Sequence, residues 1–144
     1  MTLDSPYDDQ NIFAKILRGE MPCWKVYEDD HALAFLDIFP QGPGHTLVIP
    51  KTAATNLLTF SAEAFGPFMT SVQHLARGVQ KAFAAEGITI FQFNGAAGGQ
   101  TVFHLHFHII PRHEGLGLIG HGKSKMADNV TLEAHRDAIV AALG

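Results

Sequence analysis

The chain has 144 residues, of which 47% are hydrophobic and 17% charged, and its formal net charge is −4 at pH 7. This length predicts a single domain, 1–144, built around one core. The acidic balance provides no basic surface that could neutralise a polynucleotide backbone, so we expect no nucleic-acid partner. Cys23 is the only cysteine, which excludes an intrachain disulfide and a four-cysteine metal site.

The N-terminal residues are acidic and polar, where a signal peptide would be basic and then apolar. No apolar run approaches the length needed to cross a membrane. Because a single cysteine also fits a reducing compartment, we expect a cytoplasmic protein with no membrane partner.

The first fifty residues predict one helix and three strands. Apolar residues on one face indicate a short helix that ends at Gly19. Residues 25–36 have the pattern of a hairpin, and the loop 39–44 that follows contains two prolines and two glycines. The next strand, 45–49, places His45 and its other odd-numbered residues on one face.

Apolar residues recur at helical spacing between 61 and 87 and predict the longest helix. Pro67 would clash with the backbone of a helix begun at 61, so we expect the regular part to begin nearer Phe65. Gly87 is the expected stop.

The last third of the chain predicts strands over 88–93 and 101–110, with a glycine-rich loop between them. The apolar spacing from Leu132 to Leu143 indicates a C-terminal helix. Two groups of strands separated by a long helix favour an α+β fold around an antiparallel sheet.

Three histidines alternate with apolar residues within the last predicted strand. Side chains alternate across a strand, so His104, His106 and His108 share one face at intervals of about 6.6 Å, and the apolar residues between them share the other. Satisfied structural histidines, a metal site and phosphate chemistry are the three interpretations of this pattern.

The segment just upstream favours phosphate chemistry. Its glycines, within 95–99, allow backbone N–H groups to converge on an anion, and Gln100 and Thr101 add neutral donors. No carboxylate lies in this segment to complete a metal site, although one from elsewhere in the chain leaves that interpretation open. A neutral imidazole can attack phosphorus, while neighbouring imidazoles bond the phosphoryl oxygens and protonate the leaving group.

The segment His104–Ile110 is similar to the His-φ-His-φ-His-φ-φ signature of the histidine-triad (HIT) family. Five further segments resemble the Hint-like, microbial branch of that family: Ile12–Ile16, Gly19–Pro22, Val26–Asp30, Ala34–Ile38 and Pro43–Lys51. The resemblance covers a core from about 11 to 112 and leaves 113–144 as a C-terminal extension. It implies a five-stranded antiparallel sheet with two main helices, to which the pattern adds the C-terminal helix, and a homodimer whose two sheets join.

The resemblance also implies site residues. The catalytic set comprises His106 as the nucleophile, His104 as the residue that orients it, and His108 and His45 as phosphate contacts or proton carriers. The nucleotide-binding set comprises Asp37 at the ribose, Ile38 and Phe13 at the base, and Asn94, Gln100, Thr101, His45 and His108 at the phosphate and leaving group.

Many microbial relatives carry Cys-x-x-Cys ahead of the first helix as part of a structural zinc site, where this chain has Asn11 and Ala14. We therefore expect no metal and no cofactor.

The expected activity is that of a nucleotide-binding hydrolase or transferase that cleaves a bond at the α-phosphate through a nucleotidyl-histidine, with a purine nucleoside phosphoramidase as the specific prediction. A dinucleoside polyphosphate hydrolase of Fhit type, a nucleotide-binding scaffold with incidental turnover, and a metal-dependent enzyme are the alternatives.

Overall fold

Five antiparallel strands form one sheet in the computed structural model, which describes residues 2–120 and 123–144. The strands are β1 (Lys25–Glu28), β2 (Ala32–Leu36), β3 (Thr46–Pro50), β4 (Gly87–Phe91) and β5 (Phe107–Arg112). Their order in the sheet is β1-β2-β3-β5-β4, so β1 and β4 are the edge strands. The predicted α+β class and the five-stranded antiparallel sheet are confirmed.

Three α-helices accompany the sheet in the described part of the chain. They are α1 (Ile12–Leu17), α2 (Ala62–Ala82) and α3 (Asn129–Leu143). The side chain of Asn11 caps α1 by accepting a hydrogen bond from the backbone N–H of Ala14, and Gly19, with a φ of 77°, follows its end. None of these helices is both long enough and apolar enough to cross a membrane.

The sheet buries a core on each of its faces. The larger core joins Ala34, Leu36, Val48, Phe107 and Ile109 of the strands to Phe68, Val72, Leu75 and Val79 of α2 and to Leu132 and Ile139 of α3. The smaller core joins Phe13 of α1 to Leu33, Phe35, Leu47 and Ile49. The two sets alternate along β2 and β3, as the pleat of a strand requires.

The bounds of α2 differ from the sequence prediction. The helix begins at Ala62, so Pro67 lies inside it and not in its first turn. The N–H that Pro67 lacks removes one intrahelical hydrogen bond, a loss that the buried apolar face of α2 offsets. The helix ends at Ala82 because Ala84 adopts a left-handed conformation with a φ of 47°, and Gly87 starts β4 instead of ending the helix.

Strand β5 begins six residues later than the strand predicted over 101–110. Pairing between β3 and β5 ends at Val48 and Phe107. Two residues further along β3, Pro50 has no N–H to donate, and its carbonyl accepts a hydrogen bond from the imidazole of His104. The segment 101–106 therefore leaves the sheet.

Strand β5 also continues beyond the predicted end at residue 110 and includes Pro111. Pro111 pairs only with Ile88 of β4, because the ladder with β3 has already ended at Thr46 and Ile109. A proline that faces one neighbouring strand is tolerated within a sheet.

The predicted C-terminal helix is confirmed as α3, which packs against α2 and β1. Gly78 of α2 lies so close to α3 that a Cβ at this position would collide with the side chain of Leu143. The guanidinium of Arg136 lies 5.3 Å from the centre of the Trp24 ring, a cation–π contact that ties α3 to the segment before β1.

Candidate active site

Three histidines gather on the face of the sheet that α1 covers. His108 pairs with Leu47 across β3 and β5, and Leu47 belongs to the smaller core, so both side chains point to this face. His45 directly precedes β3, and His106 directly precedes β5. The ring centres of His106 and of His45 each lie 5.1 Å from that of His108.

The backbone fixes the tautomer of His106. Its Nδ1 lies 2.7 Å from the carbonyl oxygen of His104, which can only accept, so Nδ1 carries the proton. In the neutral ring the lone pair therefore resides on Nε2, the atom that would attack phosphorus. The ring of Phe13 meets the imidazole at 5.0 Å and nearly perpendicular, which holds the plane of His106.

A chain of hydrogen bonds orients His45 and His108. The backbone N–H of Gln41 donates to Nδ1 of His45 over 3.0 Å, so neutral His45 carries its proton on Nε2. This Nε2 lies 2.8 Å from Nδ1 of His108, to which it donates. The proton of neutral His108 is therefore on Nε2, which makes that atom a donor of the kind that phosphoryl oxygens accept.

Asp37 lies beside the nitrogen of His45 that bonds His108. Its Oδ2 is 3.6 Å from Nε2 of His45, and its Oδ1 accepts from the backbone N–H of Phe39 at 2.8 Å. A carboxylate at this distance stabilises a positive charge on the His45–His108 pair. Ile38, the next residue, is 40% exposed and offers apolar surface at the same edge.

His104 lies behind His106 and is fully buried. Its Nε2 is 2.9 Å from the carbonyl oxygen of Pro50, and its Nδ1 is 2.6 Å from the hydroxyl of Tyr7. Burial lowers the pKa of His104 to about 4, so the ring is neutral near pH 7. The predicted orienting role of His104 is consistent with its backbone carbonyl, which bonds Nδ1 of His106, and does not involve its ring directly.

Phe91 and Tyr7 are among the residues that contact the histidines and were not predicted. The ring of Phe91 stacks on His108 with centres 4.4 Å apart, and the signal that could have indicated it was its alternation with Phe93 in the predicted strand. Tyr7 bonds His104 across 97 positions of sequence, and no local pattern indicates that contact.

Gln100 supports the glycine-rich loop from inside. Its Oε1 accepts from the backbone N–H of Gly95 at 2.8 Å, and its Nε2 donates to the carbonyls of Thr55 and Val102 at 2.6 and 3.0 Å. The side chain is 3% exposed. Its amide therefore fixes the shape of the loop, and direct contact between Gln100 and a phosphate stays a prediction.

Of the other two polar side chains predicted to bind phosphate here, Asn94 is bonded to a neighbouring segment and Thr101 is exposed to solvent. Oδ1 of Asn94 accepts from the backbone N–H of Leu57 at 2.8 Å, so this side chain also ties the loop to the rest of the fold. The N–H groups of Gly98, Gly99 and Gln100 donate to carbonyls within the loop, so the anion-binding arrangement expected of the glycines is not formed by these three donors. Thr101 is exposed.

Three potential metal ligands converge among residues 2–120 and 123–144: Asp37, His45 and His108 each offer an atom within 4.8 Å of the others. The two histidine nitrogens are 2.8 Å apart, a hydrogen-bond distance. Two nitrogens bound to a tetrahedral zinc at about 2.0 Å would stand about 3.3 Å apart. As arranged, the group is a hydrogen-bonded imidazole pair beside a carboxylate, and a bound zinc would require the two nitrogens to move apart. Asn11 caps α1 and offers no thiolate.

The HIT domain profile matches residues 18–115, and the chain belongs to the HIT family, a family of nucleotide-binding hydrolases and transferases. The resemblance noted in the sequence is thereby confirmed.

Known relatives cover most of the chain. Protein hit from Bacillus subtilis is 45% identical over 111 residues, which is 75% of this chain and 77% of that protein. The crystal structure of a HIT-like protein from Bartonella henselae superposes with a TM-score of 0.87 at 52% identity, covering 95% of this chain and 99% of that one. Adenylylsulfatase HINT3 from Arabidopsis thaliana is 41% identical over 103 residues, which is 72% of this chain and 52% of that protein.

Proposed function

We propose that the chain is a purine nucleoside phosphoramidase that acts through a nucleotidyl-histidine at Nε2 of His106. The hydrogen bond of 2.7 Å between Nδ1 of His106 and the His104 carbonyl carries this proposal, because it puts the lone pair on Nε2. Nε2 would attack the α-phosphorus as the P–N bond breaks, and the amine would leave with that electron pair and a proton. Water would then cleave the N–P bond, releasing the mononucleotide and restoring His106.

The neighbouring groups suit the charges of this reaction. An N–H on Nε2 of His108 would bond a non-bridging oxygen, where negative charge accumulates in phosphoryl transfer. For this step the His45–His108 pair takes up one proton from solvent, and the two imidazoles, 2.8 Å apart, then share a net positive charge that Asp37, 3.6 Å from His45, stabilises. This protonated pair is our proposed proton source for the leaving amine, and it returns to its neutral state when the amine departs.

We further propose that Asp37 binds the ribose hydroxyls and that Ile38 supplies apolar surface to the purine. The two residues lie at the same edge of the site. Asp37 is half-buried, which suits a carboxylate that accepts hydrogen bonds from the ribose, and Ile38 is 40% exposed, which suits an apolar side chain that packs on the purine ring. Phe13 is 7% exposed and its ring contacts His106, so we assign it to the inner wall of the base pocket. Thr101 is the exposed hydroxyl that we assign to the phosphate or leaving group.

The charge distribution favours an amine over a polyphosphate as the leaving group. No Lys or Arg lies between Asn94 and Ile110, whereas a departing polyphosphate needs cationic neutralisation. The next such residue along the chain, Arg112, lies four residues along β5 from His108, about 13 Å away. Its guanidinium is already bonded to the hydroxyl of Thr89 at 3.0 Å and to the carbonyl of Leu116 at 3.3 Å.

The deciding experiment compares kcat/KM for adenosine 5′-phosphoramidate with that for diadenosine triphosphate under one set of conditions. We expect a ratio above one, and a ratio below one would place the chain with the polyphosphate hydrolases. Adenylyl sulfate belongs in the same comparison, because a relative is named for its hydrolysis and the bond cleaved is also at the α-phosphate. Nucleotide binding without turnover of any of the three would support the scaffold alternative.

The nucleophile is tested by His106→Ala, with His74→Ala as the matched control on the exposed side of α2. We expect the first variant to keep the fold and nucleotide binding and to lose turnover, because it removes the nucleophile and opens no core. Rapid acid-free quenching of the wild type should trap a nucleotide on an imidazole. A trapped nucleotide on another residue would contradict the assignment.

A further inference from the structure

The N-terminal segment before α1 crosses the back of the histidine cluster and is fixed at two points. The carbonyl of Leu3 accepts from Nδ2 of Asn56 at 3.1 Å, and Asn56 is fully buried. Four residues later the hydroxyl of Tyr7 reaches Nδ1 of His104 at 2.6 Å. This segment lies outside the matched HIT domain, 18–115, yet it contacts the first histidine of the triad.

The donor in the contact between Tyr7 and His104 can be assigned. The carbonyl of Pro50 only accepts, so Nε2 of His104, 2.9 Å away, carries the ring proton. Neutral His104 then has an acceptor at Nδ1, and the Tyr7 hydroxyl donates to it. Burial raises the pKa of Tyr7 and lowers that of His104, so both groups keep these protonation states near pH 7.

Both nitrogens of the His104 ring are thus bonded, and the ring has no rotational freedom. The backbone of the same residue supplies the carbonyl that accepts from Nδ1 of His106 at 2.7 Å. A shift of this carbonyl by a few tenths of an ångström would weaken the bond that distinguishes the two tautomers of His106. The wrong tautomer puts a proton on Nε2, where the attacking lone pair must be.

We propose that Tyr7 is a positioning residue, whose hydroxyl acts through His104 to hold His106 in the tautomer that makes Nε2 the nucleophile. This inference rests on the proposed function only for the identity of the attacking atom. Tyr7 is half-buried, so its hydroxyl had solvent as an alternative partner and is nevertheless directed at His104.

The test is Tyr7→Phe, which keeps the ring whose edge meets His104 at 5.6 Å and removes the hydroxyl. We expect kcat for adenosine 5′-phosphoramidate to fall about five- to tenfold, the equivalent of one hydrogen bond, with KM within about twofold of the wild type. The second readout is the ¹⁵N NMR spectrum of the His106 ring without substrate. The wild type should show a protonated Nδ1, and Tyr7→Phe should show a mixture of tautomers.

Tyr27→Phe is the matched control, because Tyr27 is the other tyrosine of the chain and its hydroxyl donates to Asp29 at 2.8 Å and not to a histidine of the triad. It should leave both kcat and the His106 spectrum unchanged. A Tyr7→Phe protein with the wild-type spectrum would overturn the proposal, even if its kcat falls with its melting temperature. A changed spectrum in an enzyme that forms no nucleotide adduct on His106 would support the role of Tyr7 and refute the proposed function instead.

Discussion

At the scale of single residues, the buried His104 links the stability of the fold to pH. Its pKa is about 4 in the folded chain, against an ordinary value of 6.5. Between these two values the unfolded chain binds a proton that the folded chain does not, so the folded state loses stability on acidification. The contribution of His104 to the free energy of unfolding is fully present above pH 6.5 and declines as the pH falls toward 4.

We predict that the free energy of unfolding decreases by up to about 3 kcal/mol from this residue as the pH falls from 6.5 to 4. His104→Asn should reduce the dependence of the free energy of unfolding on pH, whatever its effect on stability at neutral pH. Urea titrations at a series of pH values measure it, with His31→Asn in the exposed β1–β2 turn as the control. Burial also lowers the pKa of His135, which adds a slope of the same sign to every variant. Equal slopes for wild type and His104→Asn would contradict the prediction.

A second prediction at this scale concerns metal. Because Asn11 and Ala14 form a helix cap and the His45–His108 pair is hydrogen-bonded, we expect activity to survive dialysis against EDTA. We also expect elemental analysis to find far less than one zinc per chain. Stoichiometric zinc together with inactivation by the chelator would revive the metalloenzyme alternative.

At the scale of elements, Gly78 sets the distance between α2 and α3. Gly78→Ala should destabilise the protein by about 1–3 kcal/mol, because the new methyl group would force Leu143 out of its position. Gly66→Ala, also in α2 but with no atom within 4 Å of its would-be Cβ, should change stability by less than about 1 kcal/mol. Thermal or urea unfolding of both variants makes the comparison, and equal effects would mean that α3 adjusts freely.

The elements that depend on periodicity were predictable from the sequence. Period-two and helical patterns located every strand group and all three helices, and Gly19 and the loop 39–44 marked their limits correctly. The errors arose where a tertiary contact overrides a local signal. Pro67 is tolerated inside α2 because the helix is long and packed, and β5 starts late because the Pro50 carbonyl bonds His104.

The candidate site was predictable to the same extent. The alternation of the triad predicted the face that His108 occupies, opposite Phe107 and Ile109, whereas His104 belongs to the segment 101–106, which lies outside the sheet. What the sequence could not supply is which polar groups are already used. Gln100 and Asn94 look like phosphate ligands by residue type, and their amides are bonded to backbone groups of the loop and its neighbours.

At the scale of the whole molecule, we predict a homodimer that joins at the β4 edge. This edge has no partner strand among the described residues, and Ile90 is 44% exposed on it. Ile90→Lys should therefore shift the molar mass in light scattering at micromolar concentration from two chains toward one. Lys25→Glu on the opposite edge, β1, is the control and should remain dimeric. A wild-type protein that is monomeric under these conditions would refute the dimer.

The contact between Trp24 and Arg136 has a consequence for how unfolding can be observed. Trp24 is the only indole in the chain, so its fluorescence reports the docking of α3 and nothing else in the molecule emits comparably. Far-UV circular dichroism, by contrast, averages over all helices and strands. If α3 and the HIT domain form one cooperative unit, the two signals will change at the same urea concentration. An emission shift at a lower urea concentration than the loss of ellipticity would show that α3 unfolds separately from the rest of the chain.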